Sequence, residues 1–145
     1  MPKSLGLIVN PVAGLGGRVG LKGTDGADVV RRARELGAQP EAPGRAAETM
    51  RSLVANMVDP IEVITFSGDM GADEAKEAGI SPIVVGEVSI HDETTSEHTK
   101  NAAALILQNE VDLLLFAGGD GTARDIYSVI GDNLPVVGIP AGVKM

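Results

Sequence analysis

Two kinds of apolar spacing alternate along this 145-residue chain. Short apolar runs bounded by Gly or Pro fall at residues 5–9, 82–85, 111–117 and 134–139, and residues 61–66 alternate apolar with polar. Runs of this length suit strands, and the nearly continuous ones suit strands buried on both faces of a parallel sheet. Between them, apolar residues recur at helical spacing. In residues 27–36 they fall at 29, 30, 33 and 36, and Gly37 follows as a stop signal. In residues 45–57, Ala46, Ala47, Met50, Leu53, Val54 and Met57 line one side. Residues 40–44 read as a loop. Further helices are expected over residues 71–78, about 95–109 and about 123–131. The predicted order is β-α-α-β-α-β-α-β-α-β. Parallel strands need crossovers, and right-handed crossovers place helices on both faces. The expectation is one three-layer, Rossmann-like α/β domain over residues 1–145, with a mostly parallel sheet of about five strands.

In such sheets ligands bind at the carboxyl ends of strands, so the strand ends deserve the closest reading. After residues 111–117 come Gly118, Gly119, Asp120, Gly121 and Thr122, then a helix start. Glycines let main-chain N–H groups approach an anion, and the helix dipole favours it. Asp120 stands out in this anion-friendly turn. A carboxylate there would repel phosphate unless it held a metal ion or took a proton from a substrate hydroxyl. The plainer reading is a tight turn with Asp120 or Thr122 as helix N-cap. Asp125 reads as a first-turn charge favoured by the dipole. The first strand ends at Asn10-Pro11, followed by an aperiodic, glycine-rich stretch to Gly26. A long structureless loop at a strand end is usually functional. Neither a GxGxxG (Val19 stands where the last glycine would be) nor a Walker A fits it, since Leu21 and Gly23 flank Lys22. Arg18 and Lys22 are its cations.

FAGGDGTARDI (residues 116–126), Asn10-Pro11-Val12-Ala13-Gly14, GLKGTDG (residues 20–26) and GIPAGVKM (residues 138–145) together resemble the ATP-NAD kinase family. The turn around Asp120 is more loosely similar to that of diacylglycerol and sphingosine kinases and phosphofructokinases. The resemblance implies an ATP-dependent kinase that phosphorylates the 2′-hydroxyl of NAD to give NADP, with ATP, Mg²⁺ or another divalent metal, and NAD as substrate. It implies Asp120 as the catalytic residue and Asn10, Gly14, Gly118, Gly119, Gly121, Thr122 and Gly142 as nucleotide-binding residues. Thr94, Thr95 and Thr99 would face the nucleotide. The family's Gly-x-Asn-x-Gly is here Gly138-Ile139-Pro140-Ala141-Gly142, with Pro140 in place of the Asn. The likeness covers only the amino-terminal half of the family. The chain is therefore expected to be the nucleotide-binding domain, without the β-rich carboxyl-terminal domain and inactive by itself, and the full-length form to be a homo-oligomer.

Composition narrows the alternatives. Net charge is −8, which disfavours nucleic acid or an anionic membrane as partner. No run nears the roughly 18 apolar residues of a membrane span, so a cytoplasmic protein acting on small nucleotides is expected. There is no cysteine, hence no thiolate metal site. His91, Asp92, Glu93 and His98 read as a solvated loop with helix caps, Thr94 and Glu97 having capping-box spacing, so no resident metal site is expected. Two other functions remain: a kinase of the same superfamily acting on a lipid or sugar-like alcohol, and a non-catalytic nucleotide-binding module. The chain has no basic amphipathic helix to serve a lipid kinase at a membrane.

Overall fold

The computed structural model describes residues 3–11, 41–87 and 95–140. Five strands form one all-parallel sheet in the order β3-β2-β1-β4-β5. They are β1 (Lys3–Val9), β2 (Ile61–Thr65), β3 (Ile83–Val84), β4 (Leu113–Gly118) and β5 (Val136–Pro140). The helices are α1 (Ala42–Asn56), α2 (Ala72–Glu77), α3 (Ser96–Gln108) and α4 (Asp120–Ile130). A 3₁₀ turn, Gly68–Met70, precedes α2. This is the expected Rossmann-like α/β arrangement. The helix expected over residues 27–36 and most of the glycine-rich stretch before it lie outside the described residues.

The continuous apolar character of the central strands follows from burial on both faces. In β1, Leu5, Leu7 and Val9 pack with Ala42, Ala46 and Met50 of α1 and Ala75 of α2 on one face. Ile8 points to the other face, among Ala102, Ala103 and Ile106 of α3 and Ile126 and Ile130 of α4. Burying a Leu or Ile side chain stabilises a fold by about 1.5–3 kcal/mol. The edges differ. Ile83 and Val84 of β3, and Val136 and Val137 of β5, are exposed.

Two helices start earlier than their apolar spacing predicts. α1 begins at Ala42 inside the expected loop, with Pro43 in its first turn. Proline is tolerated there because first-turn N–H groups have no helical partner. α4 begins at Asp120, three residues before the apolar spacing starts. Gly119 is its N-cap, so neither Asp120 nor Thr122 caps it. Asp125 consequently sits in the second turn, and Asp120 is the first-turn acid. The capping box of α3 is shifted by one residue from expectation. The Thr95 side chain accepts from the His98 main-chain N–H, and His98 Nδ1 accepts from Thr95 N–H at 3.0 Å. An imidazole acceptor does there what the expected Glu97 carboxylate would do.

Candidate active site at the β1/β4 crevice

From β1 the chain crosses toward β2, and from β4 it crosses toward β5 on the opposite side. The crossovers diverge, so a crevice opens between the carboxyl ends of β1 and β4, where open α/β sheets bind ligands. Both glycine-containing turns singled out in the sequence lead out of these two strands. Leu5 to Val9 run in register with Leu113 to Ala117. The pairing continues one residue past β1, where Asn10 N–H donates to the Ala117 carbonyl at 2.9 Å. At the same level the end of β5 arrives, Pro140 lying beside Gly118.

The turn after β4 is tight. A Cβ on Gly118 would overlap the Thr122 side chain, so only glycine lets the strand end and the helix start approach this closely. Thr122 is 4% exposed. Its Oγ1 accepts from Asn10 Nδ2 at 3.0 Å. Asp120, first residue of α4, is exposed. The N-cap residue of α4, Gly119, has no side chain to bond the first-turn N–H groups. Uncapped first-turn amides and the helix dipole suit an anion. An exposed carboxylate beside them can accept a proton from a hydroxyl placed there.

The structure thus brings together Asn10, Gly118, Gly119, Asp120, Gly121 and Thr122. Gly14, Gly142, Arg18, Lys22, Thr94 and residues 91–93 lie outside the described residues. Thr95 serves as the N-cap of α3, and Thr99 is buried. Among the described residues, no group of three His, Cys, Asp or Glu could hold a metal ion. A groove of about 550 Å³ lies elsewhere, between α4 and the start of β5, lined among others by Phe116, Tyr127, Leu134 and Val136. It does not include Asp120, and its chemistry is mainly apolar.

One acid of unusual environment escaped the sequence reading. Glu74, in the first turn of α2, is 2% exposed, and neither carboxyl oxygen has a hydrogen-bond partner. Its pKa is raised to about 8, mainly by burial. Its own main-chain amide works against the rise, while Asp69, Asp73 and Glu77 add to it. A signal was available: Met70, Glu74 and Ala78 recur every four residues, the inward side of a helix.

No curated protein and no solved structure shows significant similarity to the chain. No helix among the described residues is long and apolar enough to cross a membrane. Residues 5–145 match the ATP-NAD kinase N-terminal domain, and with the Gly-Gly-Asp-Gly-Thr turn seated at its sheet's switch point the chain belongs to that family.

Proposed function

We propose that this chain is the nucleotide-binding part of an ATP-dependent kinase that converts NAD to NADP. In this reading Asp120 accepts the proton of the 2′-hydroxyl as its oxygen attacks the γ-phosphorus of ATP. The bond to the β-phosphate oxygen breaks, and ADP leaves. Phosphoryl transfer depends mostly on positioning and on charge neutralisation. The main-chain amides of Gly119, Gly121 and Thr122 at the uncapped start of α4 would hold phosphate oxygens, with Gly14 and Gly142 completing the cradle. A magnesium ion arriving on ATP would keep phosphate and water ligands. Asp120 is the carboxylate placed to meet it, and the ion would neutralise phosphate charge. A cytoplasmic, oligomeric protein accords with a soluble nucleotide substrate.

The observation that carries this reading is the exposure of Asp120 at the first position of α4, two residues past the carboxyl end of β4. The test is NADP formation from NAD and ATP by the longest form of the protein and by its Asp120→Asn variant. A loss of at least a hundredfold supports the assignment. Undiminished activity in the variant removes Asp120 from the chemistry. Phosphorylation of a lipid or sugar alcohol, and not of NAD, would transfer the same site to another acceptor.

A further inference from the structure

The side chains of Asn10 and Thr122 stand at the mouth of the proposed site, yet each is engaged by the other. Asn10 Nδ2 donates to Thr122 Oγ1 at 3.0 Å across 112 residues of sequence. Asn10 is held at its main chain as well, through the 2.9 Å bond from its N–H to Ala117. Thr122 is fixed in three ways. It is 4% exposed, it fills the space left by the missing Cβ of Gly118, and its β-branched side chain has little χ1 freedom. Two residues before it in the same helical turn stands the exposed Asp120.

We propose that Asn10 and Thr122 are positioning residues: their side chains form a staple across the β1/β4 crevice that fixes the first turn of α4, and with it Asp120, and these two side chains act on each other instead of touching the nucleotide. The staple explains a difference in burial that a phosphate-binding hydroxyl would not show. A threonine that meets ligand should present its hydroxyl to the crevice. Here that hydroxyl is inside, accepting from the neighbouring strand's end. It also gives Gly118 a role besides admitting an anion, since the glycine makes room for the threonine arm. A catalytic group displaced by about 1 Å can lose about a hundredfold in rate, so a restraint at N3 matters to a base at N1.

The catalytic half of this proposal rests on the kinase reading, but its structural half does not. The test therefore has two readouts, taken on the full-length protein for Asn10→Ala, Thr122→Val, Thr122→Ser and the double variant Asn10→Ala/Thr122→Val. The first is amide hydrogen exchange by NMR at Ala123 and Asn10, whose N–H groups donate to the Gly119 and Ala117 carbonyls. The staple predicts exchange faster by roughly tenfold in Asn10→Ala and Thr122→Val, the scale of one lost hydrogen bond. It predicts no further change in the double variant and recovery in Thr122→Ser. Unchanged exchange in both single variants, or additive effects in the double, overturns it. The second readout is kinetic. Thr122→Val should lower kcat about tenfold with the KM for ATP unchanged within twofold, and Thr122→Ser should restore kcat. A tenfold rise in KM with kcat intact overturns the proposal, because the hydroxyl would then be a nucleotide contact. If the parent protein phosphorylates nothing, the kinase reading fails alone, and the exchange data still decide the staple. Should Thr122→Val fail to fold, Asn10→Ala against Asn10→Asp gives the same comparison from the more accessible partner.

Discussion

Two turns leave the carboxyl-terminal end of the sheet and treat their carboxylates in opposite ways. The turn from β4 into α4 buries Thr122, bonded to Asn10 at the end of β1, and leaves Asp120 exposed. The turn from β2 into α2 does the reverse. It encloses Glu74 with neither oxygen bonded and leaves Asp73 exposed. Both are built around glycine. Gly118 makes room for Thr122, and Gly71, at φ 147°, lies where a Cβ would overlap the Thr65 hydroxyl. That hydroxyl itself donates to the Leu7 carbonyl at 2.7 Å. The acid with the raised pKa and the acid open to solvent are therefore different residues. Glu74 has the shifted pKa, but Asp120 has access, a helix N-terminus and a crevice.

The largest contrast expected between the two acids is catalytic. Asp120→Asn should reduce NAD phosphorylation by about 10²–10⁴-fold, the usual contribution of a general base. Glu74→Gln should leave it within about twofold. Comparable losses from both, in a steady-state NADP assay, would erase the distinction.

Next comes stability against pH, where Glu74 should dominate. Its folded pKa, about 8, lies above the ordinary 4.5. The neutral form is favoured in the fold, so its contribution is fully present below about pH 4.5. That contribution declines by about 1.4 kcal/mol per pH unit and is lost as pH rises through 8. Glu74→Gln should therefore stabilise the protein at pH 7 by about 3 kcal/mol, a figure set by the gap of roughly two and a half pH units. The gain should vanish near pH 4.5. Urea unfolding of both proteins from pH 4.5 to 8.5 measures it, and parallel pH curves would show that Glu74 is not the buried acid described.

Smaller again is Gly118→Ala, which forces Thr122 out of its place. It should cost about 1–3 kcal/mol, the range for overpacking, and should be partly rescued by Thr122→Ser in the same chain. Thermal unfolding of the single and double variants decides this, and a neutral Gly118→Ala would mean the turn has slack. The smallest effect belongs to the opposite end of the sheet. Asp112 Oδ2 accepts from Ser4 N–H at 2.9 Å, which holds the Asp112 carboxyl below its usual range. The Ser4 hydroxyl and Lys3 pull in the same direction. Its contribution is present above the ordinary pKa of 3.8 and disappears as pH falls through the lowered value. Because the group is fully solvated, Asp112→Asn should shift the neutral-pH melting point only marginally. A large shift would mean the two strand starts depend on this contact far more than solvent screening allows.

Much of the fold was legible because it is written in local periodicity. The runs around Leu7 and Leu115 are apolar throughout since both faces are covered, and the five strands follow from four short apolar runs and one alternating stretch. The position of the turn at Gly118 to Thr122 was legible for the same reason, as it directly follows a buried strand. Helix starts were not. In α1 the buried Ala42 stands four residues before Ala46 and eight before Met50, but the Pro43 and Gly44 that follow it read as loop residues; in α4, Asp120 carries no inward apolar side chain, so hydrophobic spacing cannot see that the first turn includes it. The capping residues of α3 were misplaced by one because His98 replaces the customary acid as acceptor. The Asn10–Thr122 bond had no sequence signal at all. It joins residues 112 apart, and only the strand order makes them neighbours. The burial of Glu74, a first-turn acid of α2, depends on how that helix lies against the rest of the fold.

The most direct measurement of the central claim is a map of main-chain amide shifts on titration with ATP and magnesium, using the protein with its resonances assigned. The account predicts that the strongest changes fall on Gly119 to Ala123 at the start of α4 and on Asn10 at the end of β1, with Glu74 and its neighbours in α2 little moved. Changes centred instead on Tyr127, Leu134 and Val136, in the groove beside β5, would contradict it.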